Sequence, residues 1–238
     1  MEETSGVISF DIQTPLNSTT IKRHIKNAKS LGLREALDEP KTLNIVATGP
    51  SAKAVHGTLT GDTLALNGAL AFYPDPTFYA CCDPQAMVAD FLRNPPEDCI
   101  FYVASKCHPR VFKALKDRDI RLWHISDYVP GGVSCAVSIT LTAMNLFAQL
   151  GYRRFNVYGW DACFAGDGSH HANVQEAPPQ NRITLSVGDH TFATTTTWAA
   201  EAQDATAQLA LLDYMGIEVN IHGDSMIKAV YQEIRKAA

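Results

Sequence analysis

The chain has 238 residues, 46% of them hydrophobic and 19% charged, which is enough for one large core or one domain with an added lobe. Net charge is −5, from 20 basic and 25 acidic residues, and no basic stripe runs along the chain, so a nucleic-acid backbone is excluded as the expected partner. The longest uncharged run, between Asp127 and Arg153, carries Pro130, Ser134, Ser138, Thr140, Asn145 and Gln149, so a glycine turn and a buried helix are expected there rather than a membrane span.

Residues 1–40 read as an N-terminal arm with one helix over 17–29, where Ile21, Ile25 and Ala28 recur at helical spacing. Its lysines and Arg23 read as a solvated face. Met1–Gly6 is acidic and polar and does not resemble a secretion signal, so a cytoplasmic location is expected. The six cysteines (Cys81, Cys82, Cys99, Cys107, Cys135 and Cys163) include no C-x-x-C pair and read as reduced and buried.

From 41 to 238 the pattern is that of an α/β Rossmann-like domain, a mostly parallel sheet with helices on both faces. Strands are expected at 43–48, 63–67, 77–82, 99–104, 120–124, 155–158 and 217–221. Helices are expected at 84–93, 109–117, 134–150, 197–215 and 224–236. Trp198, Ala202, Ala205, Leu209 and Leu212 form an apolar stripe, which assigns Trp198 to the core. Residues 160–196 break the alternation as an insertion, and 182–197 reads as a β-hairpin turning at Gly188-Asp189. A long insertion at this place is a functional segment, either a lid or a dimer contact, and homo-oligomerisation stays open.

Three expected strands end in small, polar or acidic residues: Gly49-Pro50-Ser51, Asn67-Gly68 and Asp83-Pro84. Ligands of open α/β sheets bind at the carboxyl ends of strands, so these ends mark a crevice. A glycine turn and a following helix start would seat a phosphate, and Ser51 would donate to it or cap the helix. Asn67 would read a base, ribose or carbonyl. Gly131-Gly132 and Ser134 precede an expected helix start and form a second anion seat, or simply a cap. Asp83 and Asp161 are candidates for Mg²⁺ ligation or for a base. His170 and His171, on a glycine-rich loop, suit general acid/base work, while His108 either caps a helix or faces the ligand. No G-x-S-x-G elbow and no H-E-x-x-H is present.

In order, GPS, LNGAL, a CDP strand end, SKCHPRVF, GGVS before an alanine-rich helix, and LGYRRFNVYGWD resemble a Rossmann-like family. It includes the archaeal 6-hydroxymethylpterin diphosphokinase and bacterial proteins of flagellin glycosylation. The resemblance runs over 43–158 and more loosely to the C-terminus. It implies diphosphoryl transfer from ATP to a pterin-like alcohol, with Gly49, Ser51 and Ser134 as phosphate seats and Mg²⁺ on Asp83 or Asp161. The same string is similar to bacterial sialyltransferases that use a CMP-linked donor, which implies a nucleotide sugar, a small-molecule acceptor and no metal. There the chain departs, because Trp198 stands where those enzymes place a histidine base, and the nearest substitutes are His190, His170 and His171. A nucleotide-binding module without catalysis is the third expectation, since Lys53 is the only cation near the GPS turn.

Overall fold

The computed structural model describes residues 39–55, 59–126, 132–134, 136–172 and 181–237. The expected helix at 17–29, Gly131 and Cys135 lie outside them. In chain order the strands are β1 (Lys41–Val46), β2 (Asp62–Leu66), β3 (Phe78–Cys81), β4 (Ile100–Ala104), β5 (Asp119–Trp123), β6 (Tyr152–Tyr158), β7 (Arg182–Val187), β8 (His190–Thr195) and β9 (Glu218–Ile221). The α-helices are α1 (Pro109–Ala114), α2 (Ile139–Gln149), α3 (Thr196–Tyr214) and α4 (Met226–Ala237).

Seven strands form one parallel sheet in the order β5-β4-β3-β2-β1-β6-β9. Strands covered on both faces need apolar side chains on both, and the last four residues of β1 and β2 and all of β3 are buried. The edge strand β9 alternates exposed and buried residues instead. Phe78 on β3, Tyr102 on β4, Phe147 on α2 and Tyr152 on β6 pack ring to ring at centroid distances of 5.0 to 6.4 Å, joining four elements. Cys81, Cys82, Cys99, Cys107 and Cys163 are buried. Among the described residues no helix is long and apolar enough to cross a membrane.

A polar ladder crosses three strands. Asn44, Asn156 and Asn220 are in register on β1, β6 and β9. Asn156 Nδ2 donates to Asn44 Oδ1 (3.0 Å), and Asn220 Nδ2 donates to Asn156 Oδ1 (3.3 Å). The buried Asn44 amide donates in turn to the Thr60 carbonyl at 3.0 Å.

The expected helices after β1 and at 84–93 are corrected. Short 3-10 turns stand there, Pro50–Ala54 and Ala86–Leu92, with a third at Asn67–Ala71. The helix expected from 134 begins only at Ile139. Residues before it are held against the end of β5 instead: Val133 N donates to His124 O, and Ser126 N donates to Val133 O.

The expected hairpin is present as β7 and β8, paired antiparallel through the Gly188-Asp189 turn. Thr194 is fully buried and its hydroxyl donates to Ala162 O. A Cβ on Gly188 would meet the Glu233 side chain of α4. The hairpin thus docks against helices and braces the segment after β6 from behind.

Candidate functional site

β1 has β2 on one side and β6 on the other, so the chain reverses its direction of travel across the sheet between β1 and β6. That is where an open α/β sheet forms its crevice. A cleft of about 400 Å³ lies there. Its walls include Thr48–Pro50 after β1, Asn67 after β2, Asp83 after β3, Trp160 and Asp161 after β6, His170 and His171 of the insertion, and Trp198 and Glu201 of α3. Four buried side-chain atoms without a hydrogen-bond partner belong to this wall: Asn67 Oδ1, Asp161 Oδ1, His170 Nε2 and His171 Nδ1. Buried polar atoms without partners are costly, and their convergence on one cleft marks a place for a polar ligand.

The GPS turn works differently from the sequence expectation. Asp161, buried at the end of β6, takes Ser51 N on Oδ2 at 2.8 Å. Gly49 N donates to Gly159 O, and Ala52 N donates to Gly49 O. Ser51 Oγ accepts from Gly159 N at 3.0 Å. Pro50 has no N–H at all. The donors expected to seat a phosphate are therefore spent inside the chain, and the five-residue 3-10 turn behind them has no α-helical dipole to add. Gly49 is required for a different reason: a Cβ there would run into the Asp161 carboxylate and the Gly159 carbonyl. Burial pushes the Asp161 carboxyl up from its ordinary value, against the downward pull of the two Ser51 hydrogen bonds.

His171 sits over the end of β1. Ala172 N donates to Thr48 O at 2.8 Å, which pins the loop beside the end of β1. His171 Nδ1 is buried without a hydrogen-bond partner. Burial, and next the neighbouring His170, hold the His171 pKa below the ordinary histidine value; burial and then Arg182 do the same for His170. Both rings are thus neutral at pH 7. Their centroids lie 4.3 Å apart.

Of the second expected anion seat, Gly131 lies outside the described residues. Gly132 packs against the backbone of residues 124–126, and Ser134 is exposed, five residues ahead of α2. Ser138 is the actual cap, accepting from Thr140 N. Asp204 accepts from Val137 N at 2.9 Å, and Glu201 hydrogen-bonds Ser138. Two carboxylates of α3 thus already answer the positive end of α2.

Glu201 was not foreseen. Its Oε1 accepts from Trp160 Nε1 at 2.6 Å, and burial raises its pKa more than the Ser138 and Trp160 hydrogen bonds lower it. Trp198 is half-buried, packs against the core and also lines the cleft, with its ring 4.9 Å from Phe164 and 6.0 Å from His170. Of the remaining expectations, Asn67 has φ of 47° at the cleft floor, Gly68 is buried in the turn behind it, His108 caps α1, and Lys53 pairs with Asp167 on the exposed side.

Asp83 and Asp161, each a candidate for Mg²⁺, stand at the ends of different strands. β3 and β6 are three strand spacings apart, about 14 Å. Asp83 Oδ1 accepts from Gln85 N in its own turn, while Asp161 is locked to Ser51. Among the described residues no group of three acidic, histidine or cysteine side chains converges to hold a metal.

No family model matches the chain, and no curated protein matches it. Among solved structures, the MAf glycosyltransferase from Magnetospirillum magneticum AMB-1 superposes with a TM-score of 0.57 at 12% identity, over 92% of this chain and 41% of that one. At such identity the likeness shows a shared fold. The chain spans well under half the length of that protein.

Proposed function

We propose that this chain is a transferase domain moving a sugar from a nucleotide-activated donor to a hydroxyl acceptor. The observation that carries the proposal is His171: its ring lines the cleft beside the end of β1, its Nδ1 has no hydrogen-bond partner, and burial holds its pKa below the ordinary histidine value. Such a nitrogen is placed to take the proton of an acceptor hydroxyl. The acceptor oxygen then bonds to the anomeric carbon, the carbon–oxygen bond to the phosphate breaks, and its electron pair leaves with the nucleotide. Asn67 and Lys106 stand on the β2 and β4 side of the cleft, toward which the nucleotide would lie.

Diphosphoryl transfer is less well supported. It needs clustered charge, from metal and cations, around the moving phosphoryl group. Here the GPS donors are spent on Asp161 and Gly159, and the two aspartates stand apart. The fold likeness to a glycosyltransferase agrees with the sugar-transfer reading.

The test is titration calorimetry with CMP, UDP, GDP and ATP plus Mg²⁺, followed by nucleotide release from the matching nucleotide sugars in EDTA. Binding of one nucleotide without metal, with turnover that falls about 10²- to 10⁴-fold in His171→Ala, is expected. Binding of ATP with Mg²⁺ alone would turn the assignment to diphosphoryl transfer. Binding without any turnover would leave a nucleotide-binding module.

A further inference from the structure

The two ends of the cleft differ in chemistry. Toward β4 stands Lys106, the cation among the described wall residues. Toward α3 stand Trp198, Trp160 and Glu201, with no ammonium or guanidinium among them. Trp198 is held in place by rings, with Phe164 and His170 beside it, and Arg182 covers the Phe164 ring at 4.1 Å. Glu201 is fixed through Trp160 Nε1 and Ser138.

At the nearby start of α2 three donors are already engaged: Ala136 N donates to Thr142 Oγ1, Val137 N to Asp204, and Thr140 N to Ser138 Oγ. An acidic group placed here would meet the carboxyls of Glu201 and Asp161, and those three N–H groups are not free to answer it. An indole ring beside a fixed carboxylate has the opposite preference. The ring packs on the C–H face of a sugar, and the carboxylate accepts its hydroxyls.

We infer that the Trp198–Glu201 end of the cleft is a subsite for an uncharged sugar ring, with Trp198 packing on the ring and Glu201 accepting a ring hydroxyl. This deepens the transfer reading by naming the class of sugar, and it points away from an acidic one. The sugar is either the donor's own or that of a carbohydrate acceptor.

Saturation-transfer NMR on the full chain tests it, with N-acetylglucosamine as the neutral probe and N-acetylneuraminic acid as the acidic one. Saturation of the N-acetylglucosamine ring protons and none of the acidic sugar is expected. Trp198→Ala should cut the signal about fivefold or more, with Trp198→Phe between the two. Glu201→Gln should weaken the neutral sugar and admit the acidic one, and circular dichroism checks that each variant is folded. No transfer to N-acetylglucosamine, an undiminished signal in folded Trp198→Ala, or an acidic sugar as strong as the neutral one would each overturn the inference.

UDP-N-acetylglucosamine and UDP form the second arm. Saturation on the pendant sugar of the nucleotide identifies the donor as the source. Saturation of the free sugar with UDP already bound identifies the acceptor. If free sugars bind and no nucleotide does, the subsite stands and the transfer reading falls. If a nucleotide binds and neither sugar receives saturation, the subsite falls and nucleotide binding stands.

Discussion

Asp161 shows how one side chain sets the chemistry around it. It accepts from Ser51 N, lies against Gly49 and lines the cleft with an unpartnered oxygen. Asp161→Ala would leave the Ser51 N–H unanswered and should cost about 1–3 kcal/mol in chemical denaturation. Asp161→Asn keeps an acceptor of the same shape and should cost much less. The pH dependence separates the charge from the shape. The folded pKa is raised, so the stability that Asp161 contributes is full below its unfolded pKa and is lost as pH rises through the folded one. The stability of Asp161→Asn relative to the parent should therefore improve as pH rises above about 4, the ordinary aspartate value. A difference flat with pH would mean that burial does not outweigh the Ser51 hydrogen bonds at this carboxyl. His171 titrates in the other sense. Its lowered pKa requires turnover to fall only on acidification below about pH 6.5, the ordinary histidine value, and that acid limb should vanish in His171→Ala.

At the scale of elements, the strands were legible because apolar runs with Gly, Asn and Asp at their ends carry their own boundaries. Strand ends alone suggest that Ser51, Asn67, Asp83, Ser134 and Asp161 share one rim; Asn67, Asp83 and Asp161 line the cleft with Gly49, while Ser51 and Ser134 do not belong to its wall. What those residues do there was less legible. Ser134 and Ser138 look alike in sequence, and only the bridge of Val133 to Ile125, just past the end of β5, moves the helix start from one to the other. Trp198 belongs to an apolar stripe by spacing, yet it sits in the first turn of α3, where the stripe runs out of core and reaches the cleft. The overlooked signal was Glu201, an acid three residues beyond Trp198 on the same helix face, where a solvated charge has no business. The corrected cap gives a paired prediction. Ser138→Ala should destabilise by about 0.5–2 kcal/mol through loss of the α2 cap. Ser134→Ala should stay within about 0.5 kcal/mol, as for other exposed sites. Equal costs measured in urea would restore the earlier helix start.

For the whole molecule, stability and site are arranged on different parts of one sheet. The aromatic cluster of Phe78, Tyr102, Phe147 and Tyr152 ties the central strands to α2, whereas β9 and the hairpin lie at the margins. Amides of the centre should exchange only through global unfolding, and those of β7, β8 and β9 through local opening. A ligand raises protection only for openings that destroy its site, by RT ln(1 + [L]/Kd). The segment 159–172 and the first turns of α3 carry His171, Asp161, Trp198 and Glu201, so a bound nucleotide sugar should slow exchange there and at the global core. The free edge of β9 and the Gly188-Asp189 turn, which open without disturbing the cleft, should exchange as before. Hydrogen exchange read by mass spectrometry distinguishes the outcomes. Protection confined to the hairpin and α4 would place the ligand on the far side of the hairpin and away from the switch between β1 and β6, and the assignment of the cleft would fail with it.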